Sequence, residues 1–468
     1  MHFQMRRAFV HAPVIASPAQ PLGEPEFMSH LANATDRDTR REHVLPVRCM
    51  SCGTVHNGDQ PITECSACSG LLDAVIDTDR TLTPQDFPRT SGTPAAVSGV
   101  WRFAPLLPEI PQDAIVTRWE GNTPLYADAR LADYAGMAHG EIRIKHEGHN
   151  PTASFKDRGM TLAVSHARAI GSALVACAST GNTSASLASY AAAAGMPSMV
   201  IIPEGKISAG KLAQTIAFGA RVVQVEGDFD VALRLLRELT ADGSVYLANS
   251  VNPFRPEGQK TIVFELLDQL GWQVPDVIAL PGGNLGNTAA FGKALAEAYQ
   301  TGLIDRLPRI ATIQAAGAAP FAAYYASGFD RYEAVQAETI ATAIKIGDPA
   351  SVERARRSIE QTSGWVVAVT DDEIMDAKAR IDSIGIGCEP ASAASLAGVR
   401  KLTGQGEIAQ DASVVCVLTG NVLKDTDAIT TYHLQEGATG PNPHANRPVS
   451  IPSTMDALKR VVDDAIHG

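Results

Sequence analysis

Long hydrophobic runs are missing from this 468-residue chain: no stretch approaches the ~18 apolar residues that a membrane-spanning helix requires. Basic residues are in the minority, 39 Lys and Arg against 51 Asp and Glu. The resulting net charge of −12 argues against the broad basic face by which proteins engage nucleic acid or an anionic membrane. A small anionic substrate stays open, because a few cations can still converge in a cleft. Cysteine is sparse and odd in number, seven in all, as expected of a reducing compartment rather than a disulfide framework. The start, Met1-His-Phe-Gln-Met-Arg-Arg-Ala8, lacks the apolar core and cleavage site of a signal peptide. The expectation is a cytoplasmic protein. Hydrophobic residues at 45% and charged ones at 19% are an ordinary globular balance. The length calls for two large lobes and an appendage rather than one core.

Four of the seven cysteines fall in two C-x₂-C knuckles, Cys49/Cys52 and Cys65/Cys68, with twelve residues between them. Each knuckle can present two thiolates to one tetrahedral ion, and Gly53 and Gly70 permit tight turns beyond. Two dithiols, or a ribbon without its metal, are the alternatives; the pairing favours a structural zinc. Four protein ligands would leave that ion no open position and no chemistry. Before the knuckles the chain is irregular in pattern, and after them a Pro-rich connector runs to about residue 120. From there strand-like and helix-like segments alternate to about residue 420. Continuous apolar runs such as Val277-Ile-Ala-Leu280 and Val414-Val-Cys-Val-Leu418 read as buried parallel strands. The fold class is α/β with open, mostly parallel sheets, whose ligands belong at strand C-terminal ends. Ser453–Ile466 reads as a closing amphipathic helix.

One lysine stands out. Lys156, in Asn150-Pro-Thr-Ala-Ser-Phe-Lys-Asp-Arg158, falls just inside a predicted helix N-terminus that Thr152 or Ser154 could cap. The dipole there disfavours a cation and depresses an amine's pKa, as a Schiff-base lysine requires. A solvated lysine paired with Asp157 is the bland alternative. Downstream, Pro281-Gly-Gly-Asn-Leu-Gly-Asn287 follows an apolar strand and opens a helix. Its backbone N–H groups could converge on a phosphate, although taken singly it also fits a purely local turn. The spacing is neither that of a dinucleotide fingerprint nor that of a Walker A loop. Polar turns recur at Ala178–Ser186 with Asn182, at Asn249–Arg255, and at Leu418–Lys424 with Thr419. Arg255 could grip a phosphate or carboxylate bidentately, or form an ion pair with Glu257. A lysine, a phosphate cradle and a neutral hydroxyl suit pyridoxal 5′-phosphate: an imine to Lys156, a phosphate in the loop, and a ring nitrogen facing Thr419. A hydroxyl at that nitrogen favours elimination and replacement at Cβ and Cγ over transamination.

These segments, together with Glu120-Gly-Asn-Thr-Pro-Leu125, Thr339–Gly347 and Glu389-Pro-Ala-Ser-Ala-Ala394, resemble threonine synthase, a fold-type II enzyme dependent on pyridoxal 5′-phosphate. The resemblance covers about residues 44 to 425 and includes the four-cysteine segment that some longer members carry. It implies that Lys156 is the Schiff-base lysine and that Asn182 bonds the cofactor's 3-hydroxyl. It gives the cofactor's phosphate to Gly283, Asn284, Leu285, Gly286 and Asn287, and the ring nitrogen to Thr419. Thr183, Asn249 and Arg255 would hold the phosphate of a small phosphorylated amino-acid substrate. The implied reaction turns O-phospho-L-homoserine and water into L-threonine and phosphate; a related β- or γ-replacement or elimination enzyme is the alternative. A homodimer is implied as well. The implied layout is an irregular arm (1–43), a zinc-ribbon-like segment (44–78), and a connector with the start of the large lobe (79–140). A small lobe (141–260), a large cofactor-binding lobe (261–425) and a C-terminal loop and helix (426–468) follow. Two departures from the family stand out: Ala153 replaces a usual glycine, and Thr419-Gly-Asn-Val422 replaces Thr-Gly-His-Gly. Each could reshape the substrate pocket.

Overall fold

In the computed structural model, which describes residues 45–89, 93–205, 209–227, 229–241, 243–437, 440–442 and 444–467, the strand–helix alternation resolves into separate sheets. The arm expected over residues 1–43 lies outside the described residues. A small antiparallel sheet, order β2-β1-β3, is built from β1 (Pro46–Cys49), β2 (Val55–Asn57) and β3 (Leu72–Ala74). The largest sheet has six strands: β4 (Leu125–Ala127), β5 (Glu141–His146), β10 (Val277–Pro281), β11 (Arg309–Ala315), β12 (Trp365–Val369) and β13 (Ser413–Leu418). Their order is β12-β11-β10-β13-β5-β4, parallel except for the last pair. A four-stranded parallel sheet, order β8-β7-β6-β9, joins β6 (Val175–Ala178), β7 (Ser198–Pro203), β8 (Arg221–Val225) and β9 (Tyr246–Leu247). Every residue of β10 is buried, as its unbroken apolar run demands of a strand covered on both faces. None of the described helices is long and apolar enough to cross a membrane.

The expected start of the small lobe needs correction. Strand β5 pairs in parallel with β13 along its whole length, from Glu141 opposite Ser413 to His146 opposite Leu418, so it belongs to the six-stranded sheet. The chain leaves that sheet after β5, builds the four-stranded one, and returns at β10. The exit point lies at the C-terminal ends of β5 and β13, where a doubly wound sheet places its ligand crevice.

Two features lock the exit. Lys145, Glu147, Arg158 and Glu265 form a wholly buried ion network, with Lys145 Nζ 2.5 Å and Arg158 Nη2 2.8 Å from Glu265 Oε1, and Arg158 Nε 2.7 Å from Glu147 Oε2. Removing one member would leave one buried charge in excess, at a cost of about 3–5 kcal/mol. Helix Lys156–Ala169 also meets helix Phe254–Gln259 in backbone contact. A Cβ at Gly258 would lie 1.8 Å from Arg158 O, and one at Gly159 would lie 2.9 Å from Arg255 O. Only hydrogen fits at that crossing.

Candidate active site

Helix Lys156–Ala169 opens without a side-chain cap, its N-cap being Phe155. Neither residue expected to cap it does so. Thr152 donates from both its N–H and its hydroxyl to Asp157, each at 2.6 Å, and Ser186 Oγ donates at 2.6 Å as well. Ser154 Oγ is buried with no protein partner among the described residues. Asp157 is thus saturated by hydroxyls and an N–H rather than paired with Lys156, and burial raises its pKa to about 6. Lys156 is half-buried, with Nζ 4.0 Å from the centre of the Phe155 ring. Desolvation pulls its amine down to about 7; the Arg255 charge adds to the fall and Glu389 opposes it. Such an amine is substantially neutral near pH 7 and therefore nucleophilic.

The Thr419 turn is zipped to this lysine by backbone pairing. Phe155 N donates to Thr419 O at 2.9 Å and Asn421 N to Ala153 O at 3.0 Å, with Ser154 bridged to Gly420 between them. Ala153 takes φ +66° to make that contact, a left-handed conformation costing a non-glycine residue about 1–2 kcal/mol. This accounts for the glycine usual there in the family the sequence resembles. Thr419 Oγ1 lies 3.0 Å from Ser392 Oγ and 3.4 Å from Glu389 Oε1. Across the cleft, Asn182 Nδ2, at the start of helix Asn182–Ala194, donates to Glu389 Oε2 at 3.1 Å. Glu389 and Ser392 lie in a segment that carries the family resemblance, but neither was assigned a role from sequence. Their signal was an acidic residue next to Pro390 at a helix start, within an otherwise apolar and small-residue segment.

The glycine–asparagine loop joins β10 to helix Gly286–Gln300. Leu285 is its N-cap, in a left-handed conformation at φ +61° and with no side-chain cap bond. The Leu285 side chain packs into the large-lobe core, so what it can offer a ligand is backbone. Asn284 Oδ1 accepts from Ala350 N at 2.9 Å. Asn287 is buried, and neither its Oδ1 nor its Nδ2 has a protein partner among the described residues. A Cβ at Gly283 would come within 3.2 Å of Ala343 O. Uncapped first-turn N–H groups, a positive dipole end and an unpartnered buried amide fit a phosphate. The loop lies one side chain from the lysine helix: atoms of Gln259 would sit 3.4 Å from a Cβ at Gly286 and 3.0 Å from one at Gly159.

Arg255 is 2% exposed. Its Nη1 donates to Ala248 O at 3.3 Å, its Nε has no partner, and no carboxylate offsets its charge among the described residues. Glu257, its bland alternative partner, pairs with Lys260 at 2.5 Å and with Lys293. Burial lowers the guanidinium to about 10. A buried cation lacking a counterion is costly, and an incoming anion would relieve that cost. Asn249 is partly committed elsewhere: Oδ1 accepts from Ala178 N at 2.9 Å and Nδ2 donates to Ala178 O at 3.0 Å, clamping the end of β6. Thr183 follows Asn182 in the same first turn and is half-buried.

Away from this cleft, the sulfurs of Cys49, Cys52, Cys65 and Cys68 lie within 4.8 Å of one another. The Cys49–Cys68 and Cys52–Cys65 separations are 3.5 and 3.7 Å, close to the ~3.8 Å edge of a tetrahedron with 2.3 Å metal–sulfur bonds. His56 Nε2 lies 3.2 Å from Cys65 Sγ, and bonds from Thr54 bring the Cys52 thiol down to about 6. The residues fit a tetrahedral zinc ion. Their sheet rests on the body through Arg354, which bonds Leu72 O and reaches Asp73 Oδ1 at 3.3 Å, and through Lys293, which donates to Ala74 O at 2.6 Å.

Residues 116–420 match the family model described as pyridoxal-phosphate dependent enzyme. The threonine synthase of Methanocaldococcus jannaschii is 43% identical over 419 residues, covering 89% of this chain and 99% of that protein. The threonine synthase of Methanosarcina acetivorans is 45% identical over 420 residues, covering 89% and 98%. Among solved structures, the processed form of threonine deaminase isoform 2 from Solanum lycopersicum superposes with a TM-score of 0.56 at 20% identity, covering 67% of this chain and 86% of that one; it speaks for the fold alone. With fold, cleft and sequence in agreement, the chain belongs to the pyridoxal-phosphate-dependent enzymes and, among them, to the threonine synthases.

Proposed function

We propose that this protein converts O-phospho-L-homoserine and water into L-threonine and phosphate, using Lys156 and the residues around it. Pyridoxal 5′-phosphate, when bound, supplies the electron sink that makes the substrate's Cα–H and Cβ–H acidic. Lys156 Nζ would anchor the cofactor and, once released, accept and return protons at Cα and Cβ. Its low proton affinity suits both tasks. Backbone N–H groups from Gly283 to Asn287, with the Asn287 amide, would hold the cofactor's phosphate. Asn182 and Thr419 would bracket its ring from opposite lobes.

The observation that carries the substrate assignment is the buried, uncompensated Arg255 beside the lysine. A planar guanidinium can receive the γ-phosphate bidentately and neutralise it as it leaves. Thr183 and Asn249 would complete that subsite, Asn249 through the amide hydrogen that Ala178 does not take. Closure of the cleft would exclude water until the phosphate has left. We assign the four cysteines a structural zinc, and the assembly a homodimer, testable by light scattering. The central test compares phosphate release from O-phospho-L-homoserine with that from O-phosphoserine plus sulfite, with threonine measured as product. Threonine formation with the first substrate is expected; preference for the second pair would move the protein to a cysteate-forming role.

A further inference from the structure

The Glu389 carboxylate lies where the two lobes meet around Lys156, and neither the proposed reaction nor the sequence reading gives it a task. It is 4% exposed. Its backbone N–H donates to Gly420 O at 3.2 Å, which tethers it to the turn zipped against Ala153–Phe155. Its side chain lies flat on Gly420: a Cβ there would be 2.4 Å from the carboxyl carbon. Oε2 accepts from Asn182 Nδ2 of the small lobe at 3.1 Å, and Oε1 from Thr419 Oγ1 of the large lobe at 3.4 Å.

We propose that Glu389 is a positioning residue: its carboxylate holds the two ring-facing groups, Asn182 and Thr419, in register across the cleft, and keeps one negative charge beside the nitrogen of Lys156. The inference rests on the reading of Lys156, Asn182 and Thr419 as cofactor-facing. Two observations favour a tuned charge over ordinary packing. First, a buried carboxylate held by one amide and one distant hydroxyl, without a close salt bridge, is costly for stability alone. Second, the charged groups acting on it are those of the cleft. Burial raises the carboxyl's pKa, and the Asn182 amide, Lys424 and Lys156 act against that rise in favour of the ionised form, while Arg255 acts on Lys156 with the opposite sign to Glu389. Lys424 in turn feels Glu389 and Asp157. Glu389 therefore offsets part of the Arg255 repulsion at the reacting nitrogen. Removing its charge makes protonation at that nitrogen harder.

The test is a pH titration of the visible absorbance of the purified holoenzyme, wild type beside Glu389→Gln and Glu389→Asp, with Lys156→Ala as control. Glu389→Gln keeps the shape and loses the charge, so its band is expected to titrate at lower pH, by on the order of one unit. Glu389→Asp keeps the charge but withdraws it by about 1.5 Å; its midpoint should fall between the other two, which preserves the test if the Gln variant does not fold. Coincident midpoints for wild type and both variants overturn the proposal. A visible band that survives in Lys156→Ala overturns the underlying lysine assignment instead, so the two failures are distinguishable.

Discussion

At the residue scale, function and stability should pull in opposite directions at Arg255. Its guanidinium is buried with an unpartnered Nε, so the fold gains nothing from its charge. Arg255→Met should leave the melting temperature of the cofactor-loaded protein unchanged or higher while kcat/KM for the phosphorylated substrate falls at least about a hundredfold, the worth of a lost charge-assisted pair of bonds. A drop in melting temperature with kinetics intact would mark the residue as structural. Lys156 carries a signed pH prediction in the cofactor-free protein. Its folded pKa, about 7, lies below the unfolded amine's, so the unfolded chain binds more protons between those values and stability rises with pH across that window. Urea midpoints should therefore show Lys156→Met stabilising the cofactor-free protein more at pH 7 than at pH 9.5; an equal gain at both would contradict the depressed amine. Much of this site was legible in the residue types, because a lysine at a helix start and a Gly-Asn bend after an apolar strand carry their chemistry locally. The engagement of Asn249 with Ala178 and the position of Glu389 were not, since each depends on a partner at least 71 residues away.

At the scale of elements, the glycines at the helix crossing decide how near Lys156 and Arg255 can come. Because a Cβ at Gly258 would meet Arg158 O at 1.8 Å, Gly258→Ala must push apart the two helices that carry those residues. Backbone cannot yield as a side-chain tip can, so the cost should reach or exceed the ~1–3 kcal/mol typical of overpacking. Thermal denaturation should show a melting temperature several degrees lower, with KM raised in whatever protein stays folded. An unshifted melt would mean that the crossing is looser than the structure indicates. Strong local patterning made such elements readable: the apolar runs Val277–Leu280 and Val414–Leu418 lie within strands Val277–Pro281 and Ser413–Leu418, and the helix expected over Ser453–Ile466 spans Met455–His467. Helices Phe254–Gln259 and Thr261–Gln269 follow one another with only Lys260 between them. Pro256 lies within the first turn of the former, where proline is tolerated, so local sequence does not mark where that helix begins. Helix Val352–Gln361 escaped notice because its residues are mostly polar, with only Arg354, Ala355, Ser358 and Ile359 buried.

At the scale of the whole molecule, the membership of β5 shows what local pattern does not carry. Its alternation marks a strand, yet only the pairing with β13, some 270 residues downstream, decides which sheet receives it. The four-cysteine sheet poses the same question of long-range support. Phe254, next to Arg255, is buried in one apolar cluster with Val47, Cys49, Cys65 and Leu72, and its ring lies 3.6 Å from that of His166, whose Nε2 donates to Gly58 O at 2.7 Å. Sheets this small have little core of their own, so an ion held by the four cysteines should supply much of their folding free energy. Metal analysis should find about one zinc per chain in the wild type and loss of it in Cys65→Ser. Chelation should then loosen the packing around Phe254 before the six-stranded sheet unfolds, seen as early amide exchange in residues 45–75 and 254–259 while β10 and β13 stay protected. Exchange that begins in all these segments together would show that the four-cysteine sheet and the rest of the body unfold as one cooperative unit.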